Sequence, residues 1–250
     1  MICALMIGRS GSIGFPKKNI KKVLGRLLCE YPLIAAKKSK NIDKLFVSTD
    51  CPIIKKTGQK YGVINIERPK KLCTNEALGE DVFQHGYFEI KKILEAENKK
   101  IELIVLLMAN APTITTDLID KGIKILREDP SFDSAVTTSV YNMWSPLRAR
   151  KLDQKGSLQP FVPFEVFGDP KTLNCDRDSQ GDVFYADMSV SIVRPKCLEK
   201  LQDGLLPQKW MGQKIAPISS EAGCDVDYEW QIPMVEHWLL KNGYNKKNPK

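Results

Sequence analysis

Gly8-Arg9-Ser10-Gly11-Ser12-Ile13-Gly14-Phe15-Pro16-Lys17-Lys18-Asn19 directly follows an uninterrupted apolar run from Ile2 to Ile7. A run of that kind ending in glycines predicts a strand buried on both faces, and the loop leaving its carboxyl end is where an open α/β sheet places its ligand. Three glycines spaced three apart let the backbone turn sharply and bring successive N–H groups toward an anion, because no Cβ stands in the way. Arg9, Lys17 and Lys18 add positive charge, the guanidinium able to grip two phosphate oxygens at once and a lysine acting as a mobile point charge. The stretch therefore predicts a polyphosphate site; the competing reading is a plain Gly/Ser turn with solvated lysines. It is not a Walker loop, since no Gly-Lys-Ser/Thr closes it. A dinucleotide site would start its helix within the glycines, whereas Pro16 and the following Lys-Lys-Asn predict an extended chain beyond them.

Beyond that loop the chain alternates between strand-like and helix-like patterns. Helices are expected at 32–40, 53–61, 80–96, 117–127, 195–201 and 230–241, and strands at 45–47, 63–66, 101–107, 134–140, 183–193 and 215–218. Ser48-Thr49-Asp50 and Met108-Ala109-Asn110-Ala111-Pro112-Thr113 follow strands, so both are expected at the same crevice as the glycine loop. His85 and His237 stand apart and have no companion ligand, so neither is assigned a catalytic or metal role. Between 141 and 182 the alternation stops, and four prolines with Trp144, Phe161, Phe164 and Phe167 mark an ordered insertion that packs on something. Contact with another subunit and filling of the domain's own core are both open for it. The whole of 1–250 reads as a single domain carrying that insertion.

The 250 residues are enough for a full core, and 42% hydrophobic with 27% charged residues is the balance of a soluble globular chain. The net charge of +8 comes from lysine pairs scattered along the chain without interleaved aromatics, which argues against nucleic acid and suits a small anionic substrate. Seven cysteines, an odd number with no Cys-x-x-Cys pair, lead to the expectation of reduced thiols in a cytoplasmic protein. The first apolar run is too short to span a bilayer and lacks a basic leader, so no membrane segment or signal peptide is expected.

Near the carboxyl end, Asp225 and Asp227 lie two apart in a stretch expected to be extended, which aims both carboxylates to one side. In a phosphate-binding protein such a pair suggests Mg²⁺, which takes one or two carboxylates and leaves its other positions to water and phosphate. Capping of the following helix is the alternative.

With these residues in view, the chain resembles the acylneuraminate cytidylyltransferase family, the enzymes that make CMP-sialic acids and related CMP-ulosonic acids. That family opens with a buried strand and Ala-Arg-x-Gly-Ser-Lys-Gly-x-x-x-Lys-Asn. Further matches are Val47-Ser48-Thr49-Asp50, Arg68-Pro69 with Leu72, Leu106-Leu107 with Pro112, Arg177, and Asp225-Val226-Asp227. The resemblance implies an α/β fold, a three-layer α/β/α nucleotidyltransferase with a mostly parallel sheet and an inserted dimerisation arm at 141–182. It implies Arg9 and Lys18 as the triphosphate-binding, catalytic cations, and nucleotide contacts from Gly8, Ser10, Gly11, Asn19, Arg68, Ala77 and Gly79. Asp225 and Asp227 would be the Mg²⁺ ligands. Met108, Arg148, Arg177 and Asp187 fall on the acidic-sugar side, the arginines reaching across a homodimer. The chain departs from the pattern at Ile13 (Lys in the family), Met108 (Gln), Leu78-Gly79 (a Ser-rich stretch), Asp187-Met188 (Asn-Gly) and Ser191 (Tyr). Most of these lie on the acceptor side, which points to an acid other than N-acetylneuraminate.

The expected reaction is transfer of CMP from CTP to an acidic, sialic-acid-like sugar with release of pyrophosphate. A different acidic acceptor is one alternative. A nucleotide-sugar glycosyltransferase is another, although its Asp-x-Asp would be expected after a mid-chain strand. A nucleotide sensor would keep the glycine loop without needing the carboxylate pair.

Overall fold

The computed structural model describes residues 1–11, 14–174, 176 and 181–245. The apolar run Ile2–Ile7 is β1, and its alternation decides the layering. Ile2, Ala4 and Met6 enter one core cluster while Cys3 and Leu5 enter another, as a strand covered on both faces requires. On the first face lie α1 (Glu30–Lys38), α2 (Pro52–Lys60) and α4 (Thr116–Glu128); on the second lie α3 (Gly79–Glu95) and α5 (Pro195–Glu199). Phe83, Tyr87, Ile90 and Leu94 form the buried stripe of α3, at the helical spacing visible in the sequence. Each such fully buried side chain contributes on the order of 1.5–3 kcal/mol relative to exposure.

The central sheet has seven strands. To β1 it adds β4 (Lys44–Ser48), β5 (Ile64–Ile66), β6 (Leu103–Met108), β7 (Ser134–Val140), β10 (Phe184–Val193) and β11 (Ile215–Ser219), in the order β11-β7-β10-β6-β1-β4-β5. β1 is parallel to β4 and β6, β4 to β5, and β7 to β11, while β10 runs antiparallel between β6 and β7. Helical crossovers explain the parallel pairs; β10 is reversed because it is reached from β7 through the 141–182 excursion and returns alongside it. Two small hairpins stand apart: β2 (Lys22–Val23) with β3 (Arg26–Leu27), and β8 (Arg150–Leu152) with β9 (Leu158–Pro160).

The excursion is built of 3₁₀ turns and the β8–β9 hairpin, and among the described residues it supplies none of the buried apolar core. Leu152, Leu158, Phe161 and Val166 are all exposed, so the described residues of this stretch do not fill the domain's own core. The chain after the glycines also differs from expectation. Lys17 takes a left-handed conformation (φ 59°) and leads into a one-turn 3₁₀ helix, Lys18–Ile20, in place of an extended segment. Phe15 is the physical reason: its ring is buried beside Val226 and Trp238 in a third core cluster, which draws the loop inward and lets Lys18 N donate to Phe15 O (3.2 Å). The last helix, α6 (Ile232–Lys241), supplies Val235, Trp238 and Leu239 to that cluster. Among the described residues no helix is long and apolar enough to cross a membrane.

Candidate active site

The glycine loop and the carboxylate pair are more than 200 positions apart in sequence, and the third cluster is what joins them. Phe15 and Val226 are anchored in the same apolar group, so the residues flanking each are brought to one cleft at the carboxyl ends of β1, β4 and β6. The cleft encloses about 450 Å³ and is walled by Gly8, Arg9, Lys18, Asn19, Arg68, Ala77, Gly79, Met108 and Asp227, among others. Nucleotide-side residues inferred from the sequence thus meet in space, with Met108 and Asp227 at the same wall.

Close approach is what demands glycine at position 8, where a Cβ would stand 2.6 Å from Ala109 Cβ. Arg9 reaches across the cleft, its Nη1 donating to Thr74 O (2.8 Å) and Asn75 Oδ1 (2.5 Å). Asn19 donates from Nδ2 to Arg9 O (2.9 Å), so it fixes the carbonyl behind that guanidinium as well as facing the cleft. Arg68 is only 8% exposed, and its guanidinium donates to Ser48 at the end of β4, Nε to Oγ (3.1 Å) and Nη2 to the backbone carbonyl. Burial lowers its pKa from the ordinary arginine value and Asp50 opposes the shift; the guanidinium stays charged in the wall of the cleft.

Lys18 forms an ion pair with Asp227 Oδ1. Asp225, half-buried, stands two residues before it; burial and then the charge of Asp227 raise its carboxyl above the ordinary range, while Lys18 and Asn110 pull the other way. Among the described residues no group of three or more His, Cys, Asp or Glu could hold a metal, so a cation here would rest on this pair. The donor chemistry fits Mg²⁺: two hard carboxylates whose mutual repulsion a divalent ion would relieve, beside a cleft lined by Arg9, Lys18 and Arg68. The helix-cap alternative has no side-chain cap bond behind it at the turn or at α6; Gln231 Oε1 instead reaches back to accept from the N–H groups of Asp227 (2.7 Å) and Tyr228 (2.8 Å). Burial, then Asp225, Asp227 and Asp187, push the neighbouring Cys224 thiol up to about 12, which keeps it from serving as a thiolate nucleophile.

Other expected site residues lie elsewhere. Ser10 gives both its backbone N–H (2.8 Å) and its hydroxyl (2.6 Å) to Asp50, so in this state neither donor is directed to a phosphate. Gly11 is exposed with φ 79°, and Lys17 is exposed too; neither is part of the cleft wall. Arg148 lies in the arm, beside a separate hollow with Arg150 and Phe164. Arg177 lies outside the described residues. Asp187 is 3% exposed and accepts from Ser139 Oγ (2.8 Å) and Ser189 N (3.1 Å), which places it inside the protein behind the carboxylate loop. Asn75 and Tyr228 also line the cleft. Sequence reasoning missed Asn75 because a lone amide in a polar loop carries no spacing signal.

Comparison with known proteins bears on the family and the fold. The family model described as Cytidylyltransferase matches residues 3–194, and the chain belongs to that family. An N-acylneuraminate cytidylyltransferase of Oncorhynchus mykiss is 26% identical over 97% of this chain and 51% of its own length. A pseudaminic acid cytidylyltransferase of Campylobacter jejuni is 29% identical over 53% of this chain and 56% of its own. The chain thus spans about half the length of these relatives. A solved CMP:2-keto-3-deoxy-manno-octonic acid synthetase complexed with CTP superposes with a TM-score of 0.66 at 13% identity, covering 96% of this chain and 99% of that one, a likeness of fold.

Proposed function

We propose that this chain transfers a cytidylyl group from CTP to the hydroxyl of an acidic, sialic-acid-like sugar. The observation that carries the reading is the meeting of Arg9, Lys18 and Asp227, from distant stretches, in one cleft beside buried Arg68. A hydroxyl oxygen of the acceptor attacks the α-phosphorus, the bond from that phosphorus to the bridging oxygen breaks, pyrophosphate departs, and the hydroxyl proton passes to solvent. Positioning and charge neutralisation supply most of the acceleration in such transfers, so the roles of Arg9 and Lys18 are to hold and stabilise the departing pyrophosphate. No histidine lines the cleft among the described residues, and the reading assigns no dedicated base.

Mg²⁺ is part of the proposal, held by Asp225 and Asp227; when bound it would neutralise triphosphate charge. The names of the relatives cover several acidic sugars, and Met108 in the cleft wall is consistent with an acceptor outside N-acetylneuraminate. A homodimer through the 141–182 arm would cover Leu152, Leu158, Phe161 and Val166, which the chain itself leaves exposed. A Phe161→Asp/Val166→Asp variant is expected to sediment as a monomer; a dimer of unchanged stability would remove the arm from the interface.

Incubation of the pure protein with each of the four nucleoside triphosphates, Mg²⁺ and a panel of ulosonic acids tests the main reading. Pyrophosphate release that needs both CTP and an acid is expected. Release from ATP or GTP but not from CTP would overturn it.

A further inference from the structure

The stretch 223–228 has no regular secondary structure before its 3₁₀ turn, yet it is held almost residue by residue. Asn110 clamps Val226, accepting from its N–H (2.8 Å) through the backbone carbonyl and donating from Nδ2 to its carbonyl (3.2 Å). Thr113, buried, accepts from Cys224 N (2.7 Å), and its Oγ1 lies 3.1 Å from both Cys224 O and the buried Ser189 Oγ. Gly223 N donates to Ser139 Oγ (3.1 Å), and that hydroxyl donates onward to Asp187 Oδ2 (2.8 Å).

We propose that Asp187 is a positioning residue that acts through Ser139 on the loop bearing Asp225, with Gly223 as the contact point. Three observations support it. A carboxylate can only accept, so Asp187 fixes the polarity of the relay: Gly223 N–H to Ser139 oxygen, Ser139 O–H to carboxylate. The loop also packs directly on that carboxylate. A Cβ added at Gly223 would lie 2.0 Å from Asp187 Cγ, so glycine is required there for space. Finally, β10 is deformed at this point. Its pairing with β7 shifts between Ala186 and Ser191, Met188 sits at φ 61°, and Asp187 Oδ1 accepts from Ser189 N two residues on. A non-glycine residue held at positive φ is a local cost that persists only where surrounding contacts enforce it. Here those contacts are the ones that present Asp187 to the loop.

The inference rests on the reading of Asp225 and Asp227 as a cation site, and its test separates the two. Ser139→Ala removes the relay with little change in volume. Asp187→Asn keeps the shape but adds a donor that disturbs its polarity, and Ser139→Thr restores the hydroxyl. Amide hydrogen exchange over 220–228 and Mn²⁺ affinity by electron paramagnetic resonance are measured for each, with Tm as a control. Ser139→Ala and Asp187→Asn are expected to speed exchange at 223–226 several-fold to tenfold and to weaken Mn²⁺ binding, with recovery toward wild type in Ser139→Thr. Unchanged exchange at 223–226, whatever happens to Tm, overturns the proposal. If the wild-type chain binds no Mn²⁺, the cation reading fails; accelerated exchange in the two variants would still support the tether, and its absence would overturn it.

Discussion

Two acidic corners at opposite ends of the sheet are treated in opposite ways. At the amino end of β7, the almost buried Asp133 accepts from Gln213 N (2.8 Å) and Lys214 N (3.0 Å) and pairs with Lys196. Burial alone would raise its pKa, but those donors outweigh it and hold the carboxyl below the ordinary aspartate range. Behind the cleft wall, two residues before Asp227, Asp225 is also partly withdrawn from water, yet burial and Asp227 prevail over Lys18 and Asn110, and its carboxyl is raised. The fold favours the charged form of the first carboxylate and disfavours that of the second. A carboxylate with its own complement of donors holds structure together, whereas one left wanting positive charge beside a cleft is where an added cation has most to gain.

The strongest way to break this contrast is to remove charge on the cleft side and look for damage to folding instead of rate. Arg9→Ala is expected to lower kcat ~10²-fold or more, because a charge-assisted contact to a leaving phosphate strengthens as charge moves onto it. Folding is expected to change little, since the bonds of this half-buried loop side chain to Thr74 and Asn75 are open to solvent. A kcat within a few-fold of wild type, compared at saturating CTP, would move Arg9 out of the proposed role.

The next sharpening concerns the pair itself. Asp227→Asn and Asp225→Asn keep size and remove one negative charge each, so the Mg²⁺ concentration for half-maximal rate is expected to rise about tenfold or more, with partial recovery in Mn²⁺. Asp227→Asn is expected to be the more damaging, since Asp227 is part of the cleft wall and also partners Lys18. Because no side-chain cap bond is made at the following turn, and Asn caps as well as Asp, neither change is expected to lower Tm by loss of a cap. Unchanged half-saturation in both variants would leave the carboxylates without a metal role.

The same contrast explains what could be read from the sequence. Periodicity placed β1, α3 and β6 because buried strands and amphipathic helices announce themselves locally, and Ser134–Val140 was legible to the residue. Arg9, Lys18 and Asp227 were legible as residue types in a loop or a pair. What joins them was not: Phe15 and Val226 meet only through the third core cluster, a contact with no local signature. The turn at Lys17 was missed for the same cause. Asp187 illustrates a different limit. Its place opposite an acceptor-side position of the resembled family said nothing of Gly223, 36 positions later, packing against its carboxylate.

The mildest test falls on the structural corner. Asp133→Asn loses the ion pair that Lys196 makes with Oδ1 and takes the charge from the bonds of Gln213 N and Lys214 N, which both go to Oδ2, at an expected cost of about 1–3 kcal/mol. For a chain of this size that is a fall of roughly 2–4 °C in Tm per kcal/mol, with kcat per folded molecule unchanged. The pH dependence carries the sharper signature. Asp133 has a folded pKa below its unfolded value, so the unfolded chain binds more protons and the stabilisation is present in full above the unfolded value of 3.8. It is lost as pH falls through that value toward the lower folded pKa. Denaturant unfolding of wild type and Asp133→Asn across that acid range should therefore show the two stabilities converging as pH drops. A gap that stays constant from neutral pH down through that range would mean that the charge of Asp133 contributes nothing, and that the two corners differ in packing alone.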